Sequence, residues 1–395
     1  MSDVLIVGGG FAGVWSALAA ARLRAEHNAD LEITLVAPND DLVIRPRLYE
    51  ADPGRLRVPL DRILGPVGVE RLPGTVTAID TGRRSVSVAR RGDRAYRRLI
   101  LASGSALRRP DLPGGAHLFD VDTLPGAVAL DHHLRTLPDR PPGSGRFTAV
   151  VVGAGFTGIE VATELAGRLR TLAGPYGHEV RVVLVERAGV LGPELGPGPR
   201  PVISAALDEV GVEVRLNMTV TALDAGQVRF GDGTEVPAYT TVWTAGMTAS
   251  LLTGQIPGRR DGLNRLLVDK HLRAPEAPEV FVAGDAAAAA ADDSHLTLQS
   301  CQHAIPLGRY AGHNAVADLL GRPPLEFVPE PYVTCLDLGA AGAVLTTGWD
   351  RSVKLTGAPA KDVKRAIMER RIHPPVDDIA ALLEAGDPGR TWTPR

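Results

Sequence analysis

Two glycine-rich segments of the same form constrain the fold of this chain most. The first, Gly8–Gly13, reads GGGFAG, and the second, Gly153–Gly158, reads GAGFTG. Glycine at the first, third and sixth places permits a tight turn, close approach of the backbone to a pyrophosphate, and close packing of a helix on a strand. Each segment therefore predicts a strand–turn–helix–strand unit that binds a dinucleotide.

The residues around both segments have the expected apolar pattern. Both turns come directly after an apolar run and lead into a helix-forming run. A helix that starts there presents free N–H groups and about half a positive charge, so it binds phosphates without needing a side chain. The predicted strands that flank the two helices are Val4–Val7, Leu31–Val36, Ala149–Val152 and Val180–Val185.

The order of the remaining runs predicts an α/β chain with two Rossmann-like domains, the second inserted in the first. Pro- and Gly-rich sequence at 110–115 separates the two copies, and the buried run Val280–Val282 is assigned back to the first domain. The predicted boundaries are 1–115 together with 247–326 for the first domain, 116–246 for the second, and 327–395 for a small C-terminal α+β region.

Composition excludes several classes of protein. The chain has 395 residues, more than one core usually organises, and its net charge of −3 gives no electrostatic footprint for nucleic acid. It contains no apolar run of membrane-spanning length and begins in a predicted strand without a basic leader, so a cytoplasmic protein is expected. The two cysteines, Cys301 and Cys335, lack metal-ligand spacing. We expect neither a disulfide framework nor a metal.

The two copies differ at the end of their second strands, where an acid normally binds the adenosine ribose. The second copy has Glu186, at a separation of 186 − 158 = 28 residues from its last glycine, which is longer than the usual spacing of about 20. A carboxylate there favours NAD because it repels the 2′-phosphate of NADP, although the adjacent Arg187 keeps NADP(H) as an alternative. The first copy has Ala37, Pro38 and Asn39, so Asn39 or backbone groups would replace the acid.

Taken together, these features resemble the two-dinucleotide-domain flavoproteins of the pyridine nucleotide-disulfide oxidoreductase superfamily, over nearly the whole chain. Within that superfamily the chain is similar to type II NADH dehydrogenases. The resemblance implies FAD on the first domain, NADH on the second, and hydride transfer from NADH to the flavin and then to an acceptor. It rests on the two turns and on Leu99–Gly104, Gly158–Glu160, Trp243–Gly246, Val280–Ala286, Cys301–Gly308 and Asn314.

The resemblance also implies site residues. Glu160 would hold the nicotinamide carboxamide or relay a proton, with an exposed helix glutamate paired to Glu164 or to an arginine as the alternative, and Gln302 would act beside the flavin ring. Arg47, where this chain departs from the family, is a further catalytic candidate near the flavin. The expected FAD ligands are Gly8, Gly10, Phe11, Ala12, Gly13, Ala37, Pro38, Asn39, Arg45, Pro46, Val76, Ala102, Ser103, Gly104, Gly284, Asp285, Gln302, His303 and Ala304. The expected NAD(H) ligands are Gly153, Gly155, Phe156, Thr157, Gly158, Glu186, Ala245 and Gly246.

Several departures from the family bear on the acceptor. The stretch Asp41–Tyr49 lacks the cysteine pair of disulfide reductases, which excludes dithiol chemistry there. Type II dehydrogenases contact quinone through two glutamines four apart, and here Gln302 is followed by Pro306. Arg45 and Arg47 replace mainly apolar residues, so they either bind an anion at the flavin or acceptor or pair with neighbouring acids such as Glu50.

The predicted function is that of an FAD-dependent NAD(P)H oxidoreductase whose small-molecule acceptor is either quinone-like or polar and anionic. A flavin-dependent dehydrogenase or monooxygenase of specialised metabolism and an NADH-sensing flavoprotein are the alternatives. The predicted helix Lys361–Arg371 carries five basic residues and a narrow apolar face, which favours docking of a partner or a solvated charged face over membrane binding. We therefore expect weak or no membrane association, with a homodimer through the C-terminal region as a further expectation.

Overall fold

The computed structural model describes residues 1–391, and residues 392–395 of the predicted C-terminal region lie outside the described residues. Its α-helices are α1 (Phe11–Glu26), α2 (Asp61–Leu64), α3 (Leu124–Thr136), α4 (Phe156–Ala173), α5 (Arg200–Glu209), α6 (Cys301–Leu319), α7 (Gly357–Ala366) and α8 (Ile379–Ala385). Its strands are β1 (Ser2–Val7), β2 (Ile33–Ala37), β3 (Asp41–Val43), β4 (Arg57–Pro59), β5 (Glu70–Pro73), β6 (Val76–Asp80), β7 (Ser85–Val88), β8 (Gly92–Leu101), β9 (Ser105–Leu107), β10 (Thr148–Val152), β11 (Arg181–Val185), β12 (Val212–Arg215), β13 (Val220–Leu223), β14 (Gln227–Phe230), β15 (Glu235–Pro237), β16 (Thr240–Trp243), β17 (Met247–Ala249), β18 (Leu266–Leu267), β19 (Arg273–Ala274), β20 (Ala277–Val282), β21 (Ala287–Ala288), β22 (Val333–Asp337), β23 (Ala343–Thr347) and β24 (Ser352–Thr356).

The first sheet contains the first glycine-rich turn. Its strand order is β19-β20-β8-β1-β2-β5, with β6 and β7 attached through β8. Strands β1, β2, β5, β8 and β20 run parallel, and their apolar residues are buried on both faces, as parallel sheets require. Val280 of β20 pairs with Leu99 of β8, so a strand from late in the chain completes this sheet.

Helices α1 and α6 pack closely against each other because small residues line their contact. A Cβ atom added to Gly308 would lie 2.4 Å from the backbone oxygen of Ala12, and one added to Gly312 would lie 2.1 Å from that of Ser16. Side chains at these two positions would push the helices apart. This contact places the N-terminus of α6 beside the first turn.

The second sheet is parallel, with the order β12-β11-β10-β16, and it contains the second turn between β10 and α4. A separate antiparallel sheet, β13-β14-β15, packs on it through a cluster that includes Val150, Val183 and Phe230. Two parallel sheets, each with a glycine-rich strand-to-helix turn, confirm the predicted fold class.

The C-terminal region forms an antiparallel sheet, β22-β23-β24, followed by α7, a π-helical turn at Ile367–Arg371, and α8. Each sheet draws its strands from one of the three predicted parts of the chain. The residue boundaries between those parts stay a prediction. Within residues 1–391, no helix is both long enough and apolar enough to cross a bilayer.

Candidate active site

A single cleft of about 2950 Å³ is lined by both glycine-rich turns. It is also lined by residues from the C-terminal region, including Lys364, Ile367 and Met368. The predicted site residues that line it are Gly8, Gly10, Phe11, Ala12, Ala37, Pro38, Asn39, Arg45, Pro46, Ala102, Ser103, Gly104, Gly153, Gly155, Phe156, Thr157, Glu160, Glu186, Ala245, Gly246, Gly284, Asp285, Gln302 and Ala304.

The first turn has the geometry of a pyrophosphate cradle. A Cβ atom on Gly13 would lie 1.8 Å from the oxygen of Gly8, so this glycine is needed where the helix packs on the strand. A Cβ atom on Gly10 would meet no other described residue within 4 Å, which leaves open space over the start of α1. The nearby hydroxyl of Ser103 is buried and has no hydrogen-bond partner among the described residues. These features fit FAD, whose phosphates would lie at the N-terminus of α1.

Asp285 lies between the first turn and α6, in a 3-10 turn that follows β20. Its Oδ2 atom accepts a hydrogen bond from Ser105 Oγ at 2.5 Å and is 3.6 Å from Arg45 Nη1. Arg45 also forms an ion pair with Asp122. The next helix, α6, begins at Cys301, and its first residues line the cleft.

Glu186 follows β11 beside the second turn, where backbone groups hold its carboxylate. Its Oε2 atom accepts a hydrogen bond from the N–H of Ala154 at 2.9 Å, and its Oε1 atom accepts one from Ala188 at 2.8 Å. A Cβ atom on Gly158 would lie 1.7 Å from the oxygen of Gly153. Gly158, like Gly13, therefore serves helix packing and does not line the cleft, which agrees with the packing role of the sixth position.

Glu160 is buried and forms an ion pair that the sequence did not indicate. Its Oε1 atom accepts hydrogen bonds from Lys364 Nζ at 2.7 Å and from the N–H of Asp337 at 3.0 Å. Burial raises the pKa of Glu160, and the Lys364 ammonium counteracts that shift. The alternative of an exposed helix glutamate paired to Glu164 or to an arginine is wrong, because the partner is a lysine from the C-terminal region.

Further polar groups extend this pair into a network. Asp337 Oδ1 pairs with Lys361, and Asp337 Oδ2 accepts a hydrogen bond from Tyr49 at 3.4 Å. Burial raises the pKa of Tyr49 well above its ordinary value, so the phenol stays protonated and able to donate. Lys364 also donates to the oxygen of Cys335 at 3.1 Å.

A signal in the sequence could have identified Lys364. Ala360, Lys364 and Met368 follow one another at intervals of four, and all three are buried. The lysine therefore lies on the apolar face of the predicted basic helix. We had interpreted that helix as a charged face for solvent or a partner, and this interpretation is wrong for Lys364.

Besides Gly13 and Gly158, three further residues predicted at the site do not line the cleft. Arg47 donates to both oxygens of Glu50 at 2.7 Å and does not line the cleft, so the alternative that it pairs with a neighbouring acid is correct. His303 is buried, with its ring stacked on Tyr332 at a centroid distance of 5.5 Å, and it too does not line the cleft. Val76 is buried opposite Val88 in the β6–β7 pair and lies outside the cleft lining.

The two cysteines are free, and both line the cleft. Burial raises the pKa of Cys335 to about 11 and also raises the pKa of Cys301. Both thiols are therefore protonated at neutral pH, whereas a redox thiol must be a thiolate to attack.

On the C-terminal side of the cleft, Gln302 donates its Nε2 hydrogen to the oxygen of Pro331 at 3.2 Å. Pro306 lines the cleft one turn further along α6. Ile367 and Met368 of the C-terminal region line the same cleft.

Comparison with known proteins gives the same assignment of fold and chemistry. The sequence profile described as pyridine nucleotide-disulphide oxidoreductase matches residues 2–308. The chain is 48% identical over 396 residues to an NADH dehydrogenase-like protein of Mycobacterium tuberculosis, with 98% of each chain covered. It is 28% identical over 380 residues to a demethylphylloquinone reductase of Synechocystis, with 92% of this chain and 90% of the relative covered. The fold matches the structure of NDH2 from Plasmodium falciparum in complex with NADH, with a TM-score of 0.79, 12% identity, and 98% and 97% coverage.

Proposed function

The chain belongs to the pyridine nucleotide-disulphide oxidoreductase family, and we propose that it oxidises NADH through bound FAD and reduces a quinone-type acceptor. One observation carries this proposal: both glycine-rich turns open into the same cleft. Dinucleotides bound at the two turns would extend into a shared space, where nicotinamide and flavin can meet.

Bound FAD supplies the two-electron redox chemistry. The chain itself positions the two dinucleotides and excludes water. We propose that the N-termini of α1 and α4 would bind the phosphate groups and that Asp285 would accept hydrogen bonds from the FAD ribityl hydroxyls. We propose that the predicted site residues that line the cleft make these contacts. The predicted residues outside this set are Gly13, Arg47, Val76, Gly158 and His303.

Glu160 lines the cleft close to the start of α4 and keeps its proposed role beside the nicotinamide. Both of its described hydrogen bonds are accepted by Oε1, from Lys364 and from the backbone of Asp337. Its carboxylate is thus held in one orientation, which favours holding the carboxamide or relaying a proton to a nearby group. Gln302, on the opposite helix, is the proposed contact to the acceptor.

The dinucleotide preference follows from Glu186, which we propose binds the adenosine ribose. It is buried, and two backbone N–H groups fix its carboxylate. A 2′-phosphate beside this carboxylate would be repelled, so we propose NADH as the preferred donor, with NADPH as the poorer one.

A quinone-type acceptor is favoured over a small anionic one. Arg47 is bound to Glu50 and Arg45 to Asp122, so both cations already have partners in the chain. The name of the Synechocystis relative, demethylphylloquinone reductase, also supports a quinone. These points together favour the oxidoreductase over the dedicated monooxygenase and the NADH sensor.

Anaerobic reduction of the purified protein tests this function. We expect a yellow protein whose oxidised flavin absorbance is lost on addition of NADH and returns on addition of a water-soluble naphthoquinone. Incubation without the quinone is the control and should leave the flavin reduced. A colourless protein that FAD cannot reconstitute, or a flavin that NADH does not reduce, would contradict the proposal.

We further propose a cytoplasmic protein with weak or no membrane contact. The free state of both cysteines supports a reducing compartment. We also propose a homodimer formed through the C-terminal region. Light scattering of the FAD-loaded protein measures the mass directly, and a mass equal to one chain would contradict the dimer.

A further inference from the structure

Glu194 lies at the N-terminus of α4, inside the second turn. It belongs to the segment 187–199 between β11 and α5, which contains four glycines and three prolines. Its Oε1 atom accepts a hydrogen bond from the N–H of Phe156, the first residue of α4, at 3.3 Å. The carboxylate therefore binds the group that would otherwise be free for a phosphate.

Comparison of the two turns shows what this carboxylate does to the cradle. At Gly10 an added Cβ atom meets open space, whereas at Gly155, the same position in the second turn, it would lie 2.4 Å from Glu194 Oε1. The two turns otherwise share their pattern and their packing glycines. Glu194 thus occupies the second cradle at the position where the pyrophosphate backbone contact is expected.

The backbone of Glu194 is fixed by the C-terminal region. Arg351 is buried and donates from Nη2 to the oxygen of Glu194 at 3.3 Å. Its Nη1 donates to the hydroxyl of Tyr332, and its guanidinium lies 4.4 Å from the centroid of that ring. A Cβ atom on Gly198 would lie 2.9 Å from the oxygen of Arg351, so the segment is pressed against this residue.

We propose that Glu194 is an affinity-setting residue of the NADH site, whose carboxylate competes with the dinucleotide pyrophosphate for the N-terminus of α4. This inference rests on the proposed function. One carboxylate and a pyrophosphate cannot both occupy the same N–H groups and the same positive end of the helix dipole. NADH must displace the Glu194 side chain, while the backbone held by Arg351 stays in place.

The competition has a kinetic signature. NADH, NAD⁺ and the transition state for hydride transfer all carry the same pyrophosphate, so Glu194 weakens the binding of each by the same factor. A change in such uniform binding alters KM and leaves kcat nearly constant. ADP-ribose, which has the pyrophosphate but no nicotinamide, should be affected equally.

The test compares the parent holoenzyme with Glu194→Gln, which keeps the side-chain size and removes the charge. The matched control is Glu209→Gln, an exposed glutamate at the end of α5 that does not line the cleft. Calorimetry on the oxidised FAD-bound protein measures the Kd of ADP-ribose. We expect Glu194→Gln to lower this Kd about three- to tenfold, given the strength of charge interactions at a helix end, and Glu209→Gln to leave it unchanged.

Stopped-flow reduction of the flavin adds a second readout. N-benzyl-1,4-dihydronicotinamide donates hydride but carries no phosphate, so the efficiency of NADH relative to this donor should rise in Glu194→Gln by the same factor as the affinity for ADP-ribose. An unchanged or raised Kd for ADP-ribose in Glu194→Gln overturns the inference, since the carboxylate would then be idle or would bind the ribose. If the parent protein neither binds ADP-ribose nor shows flavin reduction by NADH, the proposed function itself fails.

Discussion

At the scale of single residues, Glu160 and Lys364 form a buried ion pair at the cleft. Both side chains are nearly inaccessible, with residue exposures of 7% and 4%. Removing a charge from water is costly, and mutual attraction offsets that cost only when the geometry is good. The pair therefore links the C-terminal region to α4, and removal of either partner should lower the free energy of unfolding.

Replacing Lys364 with Met should destabilise the fold by about 3–5 kcal/mol near pH 8, because Glu160 is left buried without its cation. Burial already raises the pKa of Glu160, and loss of the ammonium raises it further. The folded state then binds this proton more tightly than the unfolded state, so stability is lost as pH rises through the folded-state pKa. Urea unfolding at about pH 5 and about pH 8 measures this.

The double variant Glu160→Gln/Lys364→Met is the control for that prediction. It removes both charges, so it should recover much of the lost stability and show little of the added pH dependence. If Lys364→Met alone is equally destabilised at both pH values, Glu160 does not take up the proton.

The second residue-scale prediction concerns dinucleotide choice. Glu186→Ala should reduce the preference for NADH over NADPH by about one to two decades, since a charge-assisted hydrogen bond contributes about 1.5–3 kcal/mol. The variant loses the proposed contact to the adenosine ribose, and the N–H groups of Ala154 and Ala188 lose the carboxylate that they bind. The affinity for NADH should therefore fall. Steady-state kcat/KM with both donors measures the effect. Equal use of NADH and NADPH by the parent enzyme would contradict the assigned role.

At the scale of elements, different glycines of the glycine-rich turns serve helix packing and ligand binding. Gly13 and Gly158 let a helix pack against its own strand, while Gly10 leaves open space above the start of α1 and Gly155 faces the Glu194 carboxylate above the start of α4. The first role acts on stability, and the second acts on ligand binding. Substitution at the two kinds of position should therefore give different outcomes.

Gly13→Ala should destabilise the first sheet strongly, because the new Cβ atom would lie 1.8 Å from a backbone oxygen that cannot move independently. Gly10→Ala should fold nearly normally, since its Cβ atom meets no other described residue within 4 Å, yet it should bind FAD more weakly. Thermal unfolding of the flavin-free proteins and FAD titration separate the two effects. Normal FAD affinity in Gly10→Ala would show that the cradle is used differently.

The secondary-structure elements also show how much of the fold local sequence patterns could predict. The strands around both turns and the basic helix were predicted, because periodicity and glycine position are local properties. A 3-10 turn and a two-residue strand follow Asp285 before α6 begins, and the sequence did not predict either of them. A run of alanines at 286–291 has no periodicity that distinguishes these conformations.

At the scale of the whole molecule, the C-terminal region completes the cleft. It provides Lys364 to Glu160, and Arg351 to the segment that contains Glu194. The end of the described chain is held by Arg309 of α6, which is buried and donates to the oxygens of Ala385 at 2.8 Å and Arg390 at 3.0 Å. Burial lowers the pKa of Arg309 to about 10, which still leaves it charged at pH 7.

Arg309→Met should release this end of the chain, at a cost of about 1.5–3 kcal/mol for the lost charged hydrogen bonds. Hydrogen exchange across residues 379–391 should become faster, because α8 loses its attachment to α6. Arg390→Met is the matched control, as its side chain makes a partly exposed ion pair with Glu384 at 3.4 Å that contributes about 0–1 kcal/mol. Equal exchange in both variants would show that Arg309 does not hold the segment.

The sequence by itself determined the two dinucleotide turns, the acid at Glu186 and the absence of a redox dithiol. Each of these features depends on the backbone conformation or the chemistry of a few residues that are close together in the sequence. Only the tertiary structure decided the partner of Glu160, which is 204 residues away in the chain, and the position of Glu194 over the second turn. Such contacts depend on how separate sheets and the C-terminal region pack together. Local sequence patterns specify each element but not which distant side chain will lie beside it.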